Sequence, residues 1–149
     1  MKRYLLLLIP LILCSGCKKQ NNEQSSSFSS PHYNEVEELH IHWNDLFLQK
    51  DNEYYAYVYS VTCPPCSSLR EEVITFAKSG RISFYFIYPS DDVPFIEDME
   101  LAESSLGATE IEDVYCYSTP TLIGITNKTV TYYSRNYYNI KNQIESYME

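Results

Sequence analysis

At 149 residues the chain has room for one domain and a leader, and its 15% aromatic residues and four glycines are those of a globular core. Twenty acidic residues against eleven basic ones leave a net charge of −9. That balance excludes an electrostatic grip on nucleic acid or on an anionic lipid surface.

In chain order, Lys2 and Arg3 precede an apolar run from Tyr4 to Leu13 that is interrupted by Pro10. The run is too short to span a bilayer comfortably and reads as an export signal. Its end, Cys14-Ser15-Gly16-Cys17, resembles a bacterial lipobox, with Cys14 standing where Leu is usual. The resemblance implies cleavage after residue 16 and lipid on Cys17. Two or more acyl chains there would anchor the protein without a transmembrane helix. The expected organisation is a signal peptide over 1–16, a lipidated flexible tether over 17–33 and a folded domain over 34–149. Within the tether, Lys18 to Pro31 is rich in Ser, Asn and Gln and nearly devoid of apolar side chains. It cannot bury enough surface to order itself, and as a coil it would span on the order of 20 Å. An exported chain also sits where disulfides persist.

The spacing of Val36, Leu39, Trp43 and Leu46/Phe47 predicts a helix over Asn34 to Lys50, capped by Asn34 with Glu37 three residues on. His40 and His42 read as surface or boundary residues. Glu53 to Ser60 (EYYAYVYS) is aromatic and β-forming, hence a strand. A helical pattern through Leu69, Val73, Phe76 and Ala77 then runs to Ser79, and Gly80 supplies its stop.

Between that strand and that helix lies Val61-Thr62-Cys63-Pro64-Pro65-Cys66-Ser67. A helix N-terminus presents unpaired N–H groups and the positive end of the macrodipole. Both favour a thiolate and lower a cysteine pKa into roughly the 3.5–7.5 range. The thiolate is the species that attacks disulfides. Two intervening residues bring the sulfurs close enough to bridge, and Pro64 suits the first helical position because its missing N–H is not needed there. A structural disulfide and half of a zinc site are the competing readings. Zinc needs further ligands, and Cys17, Cys116, His32, His40 and His42 form no second tight pair. No metal or other cofactor is therefore assigned.

Farther on, alternation over Ile82 to Tyr88 predicts a strand covered on both faces. Asp91, Asp92 and Pro94 open a predicted helix carrying Ile96, Met99, Leu101/Ala102 and Leu106 and ending at Gly107. Its acids Glu97, Asp98, Glu100 and Glu103 read as a solvated face. Thr109 to Ser118 is irregular or partly helical. Thr121 to Thr126 and Thr129 to Tyr133 are strands joined by Asn127-Lys128, a tight hairpin. Ile140, Ile144, Tyr147 and Met148 give a terminal helix. Cys116 is a thiol with no partner in the motif; its neighbours Val114, Tyr115 and Tyr117 favour a packed segment, where it would be inert, over a third thiol that exchanges with the Cys63–Cys66 pair or a site for an intermolecular bridge.

The order is α, β, α, β, α, β, β, α, an α/β domain with a mixed sheet. A Cys-x-x-Cys after a strand, together with Thr119-Pro120-Thr121-Leu122 before a terminal hairpin and helix, resembles the thioredoxin family over residues 34–149. The resemblance implies a central mixed sheet flanked by helices on both faces. It implies that Cys63 is the exposed nucleophile, Cys66 the buried resolving thiol and Cys63–Cys66 a disulfide when oxidised. Thr119–Pro120 would be cis and would face that disulfide, and the Thr119 backbone would pair with a substrate chain like an added strand. The implied activity is thiol–disulfide exchange without a cofactor. On an exported, lipid-anchored chain, the partners are exported protein or peptide thiols and disulfides and a membrane or extracytoplasmic redox partner. Departures are Thr62 in place of the family's Trp, Pro64 in place of its Gly, and Tyr57 where the family carries a buried acid. The longer stretch before Pro120 looks like the proteins labelled bacteriocin transport accessory proteins, which leaves a non-catalytic accessory module as the alternative.

Overall fold

The computed structural model describes residues 32–89 and 92–149. The signal peptide, Cys17 and nearly all of the tether lie outside the described residues, as do Ser90 and Asp91. Strand β1 (Glu53–Val58) leads into helix α1 (Pro64–Ser79), which returns to β2 (Ser83–Ile87). A short helix, α2 (Met99–Glu103), precedes the hairpin β3 (Thr121–Thr126) and β4 (Thr129–Ser134), and α3 (Tyr137–Ser146) closes the domain. The four strands lie in the order β2-β1-β3-β4. β1 runs parallel to β2 and antiparallel to β3, which pairs antiparallel with β4. The sheet is mixed, as expected.

Alternation along β1 splits the core in two. Tyr55, Tyr57 and Tyr59 join Phe84 and Phe86 of β2 and Leu69, Val73 and Phe76 of α1 on one face, closed by Ile140 and Ile144 of α3. Tyr54, Ala56 and Val58 join Ile87, Ile123, Ile125 and Val130 on the other, closed by Trp43, Leu46, Val93, Val114 and Cys116. Burying one such side chain is worth about 1.5–3 kcal/mol, so a strand packed on both faces is the molecule's anchor. The sheet tolerates its rings because Gly124 on β3 makes room for them. A Cβ there would stand 2.7 Å from Cε1 of Tyr55 and 2.8 Å from Cβ of Tyr132. The hairpin turn is as expected: Asn127 and Lys128 have φ of 50° and 60°, the left-handed pair that matches strand twist. Gly80 ends α1 at φ 64°.

Two expectations are corrected. The helix over Asn34 to Lys50 is instead a kinked 3-10 segment at Tyr33–Leu39, an extended link, and a 3-10 turn at Trp43–Asp45. Glu35, not Glu37, accepts the capping bond, from the His32 N–H at 2.8 Å. The reason is tertiary. Val36 packs in the aromatic cluster, whereas Trp43, Leu46 and Phe47 pack in the other. The chain must therefore cross the edge of the sheet, and it does so by bonding the Ile41 N–H to the Phe86 carbonyl at 2.9 Å. One straight helix could not reach both faces, and the crossing also covers the β2 edge.

The predicted helix from Asp91 to Gly107 shrinks to the five residues of α2, capped by Asp98, whose carboxylate accepts from the Leu101 N–H at 3.0 Å. Residues 94–96 are extended because they pair with Cys116: its N–H donates to the Pro94 carbonyl (3.1 Å) and its carbonyl accepts from Ile96 (2.9 Å). Met99, Leu101 and Leu106, which supplied the helical spacing, are exposed, while Ala102 is buried. The acids of this segment are exposed, as read.

Candidate redox site

Cys63 is the N-cap of α1, with extended backbone (φ −86°, ψ 116°). Pro64 and Pro65 fill the first two helical positions and carry no N–H. The Ser67 N–H is taken by the Cys63 carbonyl at 3.0 Å. That leaves the Cys66 N–H to donate to the Cys63 sulfur, at 3.2 Å. The two prolines thus strip the first turn of competing donors and leave one aimed at the sulfur, along the positive end of the helix. The approach is pre-ordered by a short turn. Cys63 N–H donates to the Ser60 carbonyl (3.2 Å), and the hydroxyls of Ser60 and Thr62 bond each other (3.0 Å).

Cys63 and Cys66 form a disulfide, their Cα atoms 5.3 Å apart. Cys66 is buried in the aromatic cluster and Cys63 is half-exposed. The Thr119–Pro120 bond is cis. It holds the Thr119 carbonyl 3.3 Å from the Cys63 sulfur, although the two residues are 56 positions apart. The turn is fixed from behind by Thr121, which is buried and donates its hydroxyl to the Ser118 carbonyl at 2.7 Å. The structure therefore brings Cys63, Cys66, Thr119 and Pro120 together at one end of the sheet. Among the described residues no group of three or more His, Cys, Asp or Glu side chains is placed to hold a metal.

Tyr57 occupies the position where the family's buried acid was expected. It is wholly buried and its hydroxyl has no hydrogen-bond partner among the described residues. Burial pushes its pKa far above the ordinary value, and the nearby Tyr33 hydroxyl adds to the shift. Tyr33, which the sequence placed at the end of the tether, is the residue missed. It stacks on Tyr59 with ring centres 3.7 Å apart and donates its hydroxyl to the Cys66 carbonyl at 3.2 Å. No motif marks it; aromatic character beside a polar stretch was the signal available.

His40 is structural. Its Nδ1 donates to the Val36 carbonyl at 3.0 Å, and its Nε2 is hydrogen-bonded to the Tyr59 hydroxyl at 2.7 Å. Cys116 is a free, fully buried thiol on the opposite face of the sheet from Cys66, and burial pushes its pKa up to about 12.

No protein-family model matches the chain, and no curated protein is similar to it. Among solved structures, similar chains are thioredoxins. Thioredoxin f2 of Chlamydomonas reinhardtii shares 15% identity over 72% of this chain and 94% of that one, with a TM-score of 0.46. Plasmodium falciparum thioredoxin shares 18% over 70% and 90% (TM-score 0.43). The N21Q mutant thioredoxin of Halobacterium salinarum shares 21% over 74% and 90% (TM-score 0.43). By its own topology, with the β-α-β and β-β-α halves meeting in one mixed sheet and a Cys-x-x-Cys disulfide facing a cis-proline, the chain has a thioredoxin-like fold.

Proposed function

We propose that the protein is a thiol–disulfide oxidoreductase that exchanges disulfides with exported polypeptides at the outer face of a membrane, held there by lipid on Cys17. The observation that carries the chemistry is the half-exposed Cys63 sulfur, set at the start of α1 against the Thr119 carbonyl, with Cys66 buried behind it. In the reducing direction the Cys63 thiolate attacks one sulfur of a substrate disulfide. The substrate S–S bond breaks, its second sulfur leaves as a thiolate, and a mixed disulfide forms. Cys66, deprotonated, then attacks the Cys63 sulfur, releases the first substrate sulfur and closes Cys63–Cys66. Two electrons pass from the cysteine pair to the substrate, whose two thiolates take up protons. The reverse sequence inserts a disulfide. A membrane or extracytoplasmic partner resets the pair. Sulfur chemistry alone carries the reaction, so no cofactor is invoked.

The Thr119 carbonyl's closeness to the reacting sulfur supports a role for this backbone in aligning a substrate strand. The alternative is an accessory module that holds a peptide or an export partner, in the manner suggested by the resemblance to bacteriocin accessory proteins, and catalyses nothing. Insulin reduction in the presence of dithiothreitol separates the two: catalysed precipitation supports the enzyme, and a rate equal to that of dithiothreitol alone supports the module. The anchor has its own test. Cys17→Ser is expected to move the protein from the membrane to the soluble fraction or the medium, and a variant that stays with the membrane would contradict lipidation at Cys17.

A further inference from the structure

A cavity of about 550 Å³ is lined by residues that flank the cysteine pair in the chain. Its walls include Ser60 and Val61 just before the pair, Ser67 just after it, Tyr33, His32 and Arg70. Arg70 is half-buried, and its Nε is buried with no hydrogen-bond partner among the described residues. The chain carries nearly two acids for each base, yet the ion pairs of the described residues engage Lys78 and Lys141 and leave out Arg70, as they do Lys50, Arg81, Lys128 and Arg135. A guanidinium never gives up its charge and is costly to shelter from water unpaired. Of these bases it is Arg70 that lines this cavity, and its charge meets no carboxylate among the described residues.

We propose that this cavity is a specificity subsite that takes a carboxylate side chain of the polypeptide substrate. The inference rests on the exchange activity proposed above and names the substrates it favours. The guanidinium fork matches a carboxylate in two parallel hydrogen bonds, and Ser67 on the same wall offers a further donor. The register follows from the helix. Arg70 lies seven residues beyond Cys63, about two turns, and so on the same side of α1 at about 10 Å along the axis. An extended chain covers that in about three residues. The favoured substrate therefore carries Asp or Glu about three residues from its reactive cysteine. Tyr33 links the two places: it lines the cavity together with Arg70 and donates to the Cys66 carbonyl.

The test uses the full chain and two disulfide-linked peptides that differ only in Asp or Asn at that position. Wild type is expected to exchange with the acidic peptide about tenfold faster in kcat/KM. Arg70→Gln should bring that ratio to near one, and Arg70→Lys should restore part of it. A wild-type ratio near one, or an Arg70→Gln variant that keeps the tenfold ratio, overturns the subsite. Calorimetry with the acidic peptide carrying Ser in place of Cys reads binding without exchange. Binding to wild type that is lost in Arg70→Gln supports the subsite, and equal binding to both overturns it. Binding of that peptide with no exchange of either disulfide keeps the subsite and refutes the oxidoreductase.

Discussion

Two of the sulfurs in this molecule are equally buried and entirely different. Cys66 lies on the aromatic face of the sheet, one turn into α1, bridged to a half-exposed Cys63. Cys116 lies on the opposite face, its backbone committed to residues 94–96 and its thiol pushed up to about 12 by burial. The difference is not accessibility of the sulfur itself but what stands next to it. Cys66 has a neighbour that solvent and substrate can reach, set at the positive end of a helix. Cys116 has apolar side chains and the whole thickness of the sheet between it and that neighbour. A buried thiol becomes useful when a partner carries the exposure for it.

Breaking the pair should have the largest effect. Cys63→Ala is expected to abolish exchange. Cys66→Ser should still attack but not resolve, so mixed disulfides through Cys63 accumulate and collapse with dithiothreitol; non-reducing gels and mass mapping read both. Equal trapping in Cys63→Ser would contradict the division of roles. Next is Gly124→Ala, which drives a methyl into Tyr55 and Tyr132 on the aromatic face. It should cost about 1–3 kcal/mol in denaturant unfolding.

Cys116 sharpens the contrast through what it leaves unchanged. It should alkylate slowly in the native oxidised protein and rapidly in denaturant, and Cys116→Ala should cost roughly 1–2 kcal/mol with exchange retained. Its pH signature follows from its raised pKa. The folded chain keeps a proton that the unfolded chain releases near the ordinary value of 9.0. That contribution to stability is complete below about pH 9 and drains away as pH rises toward 12. Cys116→Ala should flatten the alkaline fall in stability; an alkaline limb identical to wild type would contradict the assignment. The smallest effect is expected of Tyr33→Phe, which removes one bond to the Cys66 carbonyl and should cost about 1 kcal/mol with Cys63 still reactive.

The same contrast explains what could be read from the sequence. The strands, α1 and the hairpin were legible because each carries its own signal: the tyrosine run of β1, Gly80 as a stop, Asn127 in the turn. Cys63, Cys66, Thr119 and Pro120 were legible as local motifs. The segments that failed are those whose shape is set by distant partners. Residues 34–50 have helical spacing, but Val36 and Trp43 are claimed by opposite faces of the sheet. Residues 94–96 carry helix-start chemistry, but Cys116 claims their backbone. Arg70 was silent because its interest lies in having no carboxylate partner among the described residues, and a missing neighbour leaves no trace in the order of residues.

The central claim is that one cysteine pair reacts and the third thiol does not. Thiol mapping by mass across a glutathione redox series tests it most directly. The account predicts a single two-electron transition at Cys63/Cys66, at a potential above about −300 mV, the level below which structural disulfides of secreted proteins lie, with Cys116 reduced throughout. A pair that stays oxidised below that level, or a Cys116 that titrates with it, would contradict the account.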